Sequence, residues 1–176
     1  MRNIFIDAGS FDGRSARLFR QQYGPDWEIH CFEPDPRIEN RETGITLHRE
    51  AVWVHDGESD FHLGQLESST LIAGKSTGEV GQHGTIRVSC LDLSRWLTQM
   101  VKPDDRVFLK LNIEGAEYPV LNKMIEQGTI ALIGELAVEW HFGKIPLKRS
   151  KHQRLVQRLK SAKVNFRAIC GTDWLQ

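Results

Sequence analysis

Phe5-Ile6-Asp7-Ala8-Gly9-Ser10-Phe11-Asp12-Gly13 is the stretch on which the rest of the chain hangs. Ile4-Phe5-Ile6 is a short, unbroken apolar run, as expected of a parallel strand covered on both faces. Gly9 and Gly13 frame a tight turn whose backbone can bend where side chains resist it. After Asp12-Gly13, the apolar residues Ala16, Leu18, Phe19 and Tyr23 give a helix one greasy face until Gly24-Pro25 ends it. The unpaired N–H groups of that helix's first turn face the space above the glycine turn.

The same alternation continues outward. Trp27 to Phe32 reads as a second strand, closed by Pro34 and Pro36, and Ile45 to Val54 as a third, followed by a turn at His55-Asp56-Gly57. Phe61-His62-Leu63 reads as a further extended piece. Gln65 to Gly84 is polar, glycine-rich and without periodicity. It is expected to be a loop with little fixed structure, either a cover over a site or a plain surface excursion. Strands are expected within Ile86–Cys90, Arg106–Leu111, Ile130–Trp140 and Val164–Cys170, and helices over Asp92–Met100, Glu117–Gln127 and Leu147–Lys163. Alternating strands and helices predict an α/β domain over residues 1–176, with a mostly parallel central sheet and helices on both faces. Ligands of such sheets bind beyond the carboxyl ends of the strands.

Composition narrows the classes of function. The 176 residues are 40% hydrophobic and 26% charged, with 23 Lys or Arg against 23 Asp or Glu. A net charge of zero gives no global attraction to nucleic acid or to a membrane. No apolar run is long enough to cross a bilayer. The start of the chain turns polar too soon for a secretory signal, so a cytoplasmic setting is expected. Cys31, Cys90 and Cys170 each sit in an apolar stretch and lack metal-site spacing, which predicts buried, reduced thiols.

The strand ends carry the chemistry. Asp7 follows the first strand and Glu33-Pro34 the second. An acidic residue at Glu33 can accept hydrogen bonds from both hydroxyls of a ribose, and Asp7 is placed for a cationic ligand group; both could instead cap helices. The G-x-G-x-x-G pattern of dinucleotide enzymes is absent. Lys110, Asn112 and Glu114 alternate with apolar residues, so strand periodicity puts them on one side, as ligand contacts or as a Lys110–Glu114 structural pair. Glu139 and His141 close the next strand, and His141 is the general-base candidate. The basic tract Lys148, Arg149, Lys151, Arg154, Arg158, Lys160 and Lys163 is expected to be the solvated face of a helix, with phosphate or an acidic glycan as the alternative ligand.

Three segments together resemble the FkbM-type methyltransferase family. They are Phe5 to Gly13, Cys31-Phe32-Glu33-Pro34-Asp35-Pro36, and Leu109-Lys110-Leu111-Asn112-Ile113-Glu114-Gly115-Ala116-Glu117-Tyr118, with Leu91-Asp92-Leu93 between them. Their order follows the family pattern D-x-G-A-N-x-G, F-E-P-x-P, L-D, K-x-D-x-E-G-x-E. The resemblance implies a Rossmann-like methyltransferase fold, S-adenosylmethionine as cofactor, and transfer to hydroxyls of natural products or sugars. Asp7, Gly9 and Glu33 match cofactor positions, and the amino-acid end of S-adenosylmethionine would meet Asp7. Ser10, Asp12, Gly13 and Pro34 complete the expected cofactor contacts.

Glu114 and Glu117 match the family's acidic positions. Asn112 stands where the family usually has Asp, and Ser10-Phe11-Asp12 replaces its Ala-Asn-x. The family's last antiparallel strand would be reduced to Thr172-Asp173-Trp174-Leu175, or absent.

The expected catalytic set is His141 as base, Glu114 or Glu139 orienting it, and Lys110 stabilising a developing alkoxide. The acceptor is a small molecule or carbohydrate rather than nucleic acid. A divalent ion on Asn112, Glu114, Glu139 or His141 is the less favoured alternative. A cofactor-binding protein without catalysis and an NAD-dependent oxidoreductase are the rival readings.

Overall fold

The computed structural model describes residues 1–171 and 175. The first half carries β1 (Asn3–Ala8), α1 (Arg14–Tyr23), β2 (Glu28–Phe32), β3 (Thr46–His48), β4 (Ala51–Trp53) and β5 (Gly57–His62). The second carries β6 (Thr85–Asp92), α2 (Leu93–Met100), β7 (Arg106–Leu111), α3 (Glu117–Glu126), β8 (Glu135–Val138), α4 (Arg149–Ser161) and β9 (Phe166–Ala168).

Six strands form an all-parallel sheet in the order β3-β2-β1-β7-β8-β9. The winding reverses between β1 and β7. Loops leaving those two strands part company and open a crevice at their carboxyl ends. With the helices, this is the expected α/β, Rossmann-like architecture.

Side-chain alternation along β1 explains the layers. Ile4, Ile6 and Ala8 join a core shared with residues of α2, α3 and α4. Phe5 points the other way, into a cluster with Ala16 and Phe19 of α1 and Phe108 of β7. Phe5 and Phe19 stack with ring centroids 3.8 Å apart. By the same parity Asp7 and Lys110, register partners on β1 and β7, both face α1.

Three expectations are corrected. The single strand at Ile45–Val54 is two strands in two sheets: β3 pairs with β2, whereas β4 joins β5 and β6 in a separate three-stranded sheet. The break falls at Arg49-Glu50, where the chain leaves its pairing with β2 and takes up pairing with β6. Residues 65–84 are not loosely structured. They contain a short 3-10 turn at Leu66–Ser68, and backbone bonds tie Gln65 to Gly78 (2.8 Å) and Gly81 to Leu63 (3.0 Å). Cys31 and Cys90 are buried, but Cys170 is exposed, because β9 is an edge strand.

Residues 172–174 of the expected last strand lie outside the described residues. No helix among those described is long and apolar enough to cross a membrane.

Candidate active site

The β1 side of the crevice is sealed. Asp7 is fully buried, accepting from Lys110 Nζ at 2.8 Å and from the Ser15 hydroxyl. Lys110 also donates to the Gly9 carbonyl at 2.8 Å. These bonds brace the glycine turn. Gly9 has φ +77°, and a Cβ there would lie 1.8 Å from the Asn112 carbonyl oxygen, so only glycine fits. Two expectations change accordingly. Asp7 is fully buried and lines neither cavity described below, so it is not placed to meet a ligand amine. The Lys110 ammonium is a strut of the turn; it borders the second cavity only while held by Asp7 and Gly9.

Two adjoining cavities open above the turn, with empty volumes of about 630 and 670 Å³ counted out to solvent. They share Gly9, Phe11, Glu67 and Asn112. Glu33 and Pro34 border the first, and Ser10 and Asp12 the second. Glu33 is held by backbone donors: Phe11 N–H at 3.1 Å and Asp35 N–H at 2.9 Å. Burial raises its proton affinity against the pull of those two donors. Asp12 is exposed and caps its own helix through Arg14 N–H at 3.0 Å. Gly13 lines neither cavity; it is the left-handed residue preceding α1, pressed against Asn40.

The β7 and β8 side holds a second charge cluster. Glu114 has φ +57° and Gly115 +108°, a sharp turn that throws the Glu114 carboxylate toward the first cavity. A Cβ on Gly115 would lie 2.6 Å from Ile145, so the turn needs glycine. Fully buried Glu117 ties the turn down, accepting from Ile113 N–H (2.8 Å) and Gly115 N–H (2.9 Å).

His141 is fully buried between two carboxylates, with Nδ1 2.9 Å from Glu117 and Nε2 2.9 Å from Glu114. Burial alone would lower its proton affinity, but the bonds to Glu114 and Glu117 win and raise its pKa to about 9. His141 lines neither cavity described above, and both its ring nitrogens face carboxylates, so the expected base is placed to hold Glu114 and Glu117. Glu114 bears the opposite balance: burial pushes its pKa up, but bonds to His141 and Lys75 bring it below the ordinary carboxyl value.

Glu139 does not orient His141; it accepts from Gly171 N–H at 2.9 Å. Among the described residues, no three His, Cys, Asp or Glu side chains are grouped to hold a metal ion. Asn112 borders both cavities, and its Oδ1 is buried without a hydrogen-bond partner among the described residues.

Lys75 was not foreseen. Its buried ammonium lies 2.6 Å from Glu114 and donates to the Ser68 carbonyl at 2.9 Å. Thr70 adds a bond to the Glu114 carbonyl at 2.7 Å. Residues 65–84 thus form a cap pinned to both the side chain and the backbone of Glu114. A second anchor is buried Asp35, which binds Arg37 in a fork and accepts from Ser69 at 2.9 Å. One sequence signal pointed to Lys75: it is the sole Lys or Arg between Arg49 and Arg87.

Residues 7–167 match the family model described as the methyltransferase FkbM domain. No curated protein matches the chain.

Proposed function

The chain belongs to the methyltransferase FkbM domain family, and from that premise we propose that it transfers the methyl group of S-adenosylmethionine to a hydroxyl oxygen of a small molecule or sugar. The observation that carries the cofactor is the lining of the first cavity. Its ionisable residues are Glu33, Glu67 and Glu114, with no Lys or Arg among them. Acidic groups beside Phe11, Phe32 and Phe61 suit a ligand with a cationic sulfur and a flat base. The unpartnered Asn112 Oδ1 offers a further acceptor at the junction of the two cavities.

Glu33 would hold the ribose, through lone pairs not used by Phe11 and Asp35 N–H. Gly9, Phe11 and Pro34 would supply the surrounding wall. When bound, S-adenosylmethionine supplies an electrophilic methyl on a sulfonium. The protein's share is to align the acceptor oxygen, exclude water and take one proton.

Glu114 is the residue for that proton. It borders the cavity, and its low proton affinity keeps it anionic at neutral pH. A hydroxyl oxygen becomes strongly acidic as its new bond forms, so a weak base suffices if well placed. His141, Glu117 and Lys75 act through Glu114 and are positioning residues.

Calorimetric titration with S-adenosylmethionine and S-adenosylhomocysteine tests the cofactor, with Glu33→Ala alongside. We expect the wild type to bind both and the variant at least about tenfold more weakly, the loss of a bidentate charged hydrogen bond. Failure of the wild type to bind either ligand would sink the methyltransferase reading, and preference for NAD would replace it with an oxidoreductase. Binding without methyl transfer to any hydroxyl acceptor would leave a cofactor-binding protein.

A further inference from the structure

The balanced overall charge conceals a strong asymmetry along the chain. From Trp140 to Gly171 there are nine Lys or Arg and no Asp or Glu, whereas residues 1–139 hold fourteen against twenty-two. The basic tract is folded into α4 and the segment leading to it. Arg158 is engaged by Asn122 and Glu126, and Arg167 by the Tyr23 hydroxyl. Lys148, Arg149, Lys151, Arg154, Lys160 and Lys163 are exposed, with no carboxylate partner among the described residues. Arg149, Lys151, Arg154 and Lys160 are spread over the solvent side of α4, with Lys148 and Lys163 just beyond its ends, and like charges a turn apart, such as Lys151 and Arg154, repel unless a ligand answers them.

The tract starts at the cap. Ser76 N–H donates to the Lys144 carbonyl at 2.7 Å, and the Gly74 backbone packs near Pro146. At the start of α4, His152 Nδ1 lies 3.0 Å from the Tyr118 hydroxyl of α3, one residue beyond Glu117. A chain lying on α4 would therefore run along roughly 20 Å of helix toward the carboxyl ends of the strands, beyond which Glu114 stands.

We propose that the outer face of α4 and the approach to it dock a polyanionic carbohydrate, whose reactive hydroxyl is delivered to the site beside the cap. This rests on the methyltransferase reading above and names its acceptor class. Carbohydrate is favoured because the face has charge and nothing else. Met1 and Leu66 are the exposed large hydrophobics among the described residues, and neither is on α4. Single-stranded nucleic acid is gripped by aromatic platforms, and α4 carries no Phe, Tyr or Trp. Membrane-surface helices bury an apolar face in lipid, but Leu155 and Leu159 are already buried in the core.

The test measures binding of the full chain to fluorescent oligogalacturonate by anisotropy, at low and at about 0.15 M ionic strength. Neutral dextran, oligothymidylate and phosphatidylserine-containing vesicles are run in parallel. The variant is Arg149→Glu/Lys151→Glu/Arg154→Glu, three exposed positions away from Glu33 and Glu114. The expected result is salt-sensitive binding of oligogalacturonate over dextran, at least tenfold weaker in the variant, with S-adenosylmethionine titration unchanged. No binding of oligogalacturonate, or binding the variant leaves intact, overturns the docking face. Equal or tighter binding of oligothymidylate or vesicles overturns the carbohydrate assignment. If S-adenosylmethionine fails to bind the wild type, the methyltransferase reading falls and the acceptor role with it. Loss of glycan binding alone leaves that reading standing.

Discussion

Two buried charge clusters flank the reversal of the sheet, and they differ in where their charges end. On the β1 side, Lys110 and Ser15 engage both oxygens of Asp7, with Asp7 and Lys110 almost wholly buried. On the β7 side, Glu117, His141, Glu114 and Lys75 form a chain of contacts between 2.6 and 2.9 Å whose Glu114 borders a cavity. Both clusters come from charged residues placed just at or beyond apolar strands. The first is closed and supports a turn. The second has one carboxylate facing open space, and its outermost cation comes from a different part of the chain. Bordering a cavity, which Glu114 does and Asp7 does not, therefore separates the two clusters, where residue type, position and internal partnering do not.

The sharpest way to break that contrast is to remove one charge from each cluster. Lys110→Met should cost about 3–5 kcal/mol of stability, because it leaves Asp7 buried without its cation. In a chain of this size that lowers the melting temperature by roughly 10 °C or more, read by circular dichroism. Glu114→Gln should do the reverse. Turnover should fall by about 10²–10⁴-fold, as for loss of a general base, with cofactor affinity changed by less than about threefold. Should Lys110→Met stay stable but lose turnover, or Glu114→Gln unfold with turnover per folded molecule intact, the assignment of the two clusters is backwards.

Much of the fold was legible because periodicity and glycine punctuation are local. Strand β1, the turn at Gly9 and α1 follow from spacing alone, and the three motif segments pointed to the family. The split of Ile45–Val54 was not legible, since two consecutive short strands and one long strand have the same apolar pattern. In the site, Glu33 and Glu114 were found because they stand just past strands.

Partners were harder to read. Strand parity put Lys110, Asn112 and Glu114 together, but β7 ends at Leu111 and the left-handed turn at Glu114 cancels the alternation. His141 looked like a base because an isolated histidine titrates near neutrality; two carboxylates that only folding brings together make it a cation. Lys75 stands in a stretch without periodicity, marked out only as the sole Lys or Arg between Arg49 and Arg87.

That cation has a pH signature. His141 titrates near 6.5 when unfolded and at about 9 when folded. A raised folded value means its contribution is complete below about 6.5 and disappears as pH rises through about 9, for a total on the order of 3 kcal/mol. Wild-type melting temperature should therefore decline across that interval more steeply than that of His141→Gln. Parallel slopes would mean that His141 is neutral in the folded protein, and would restore it as a candidate base.

The smallest effect concerns Lys75, the cap's cation on Glu114, and it separates a latch from a tuning charge. Lys75→Met removes one of the two groups holding the Glu114 pKa down. Turnover at neutral pH should change by less than about threefold, because Glu114 stays anionic there, and the acid limb of the rate profile should move upward. Lys75→Arg keeps the charge and should return that limb toward its wild-type position. A cap that merely needs a bond at this spot gives another pattern. KM would rise as residues 65–84 loosened, the acid limb would stay put, and Arg would rescue no better than Met. The expected pattern instead ties the cap to the state of the base, because the segment that carries Lys75 to Glu114 is itself anchored on Glu114 by Thr70 and on Asp35 by Ser69.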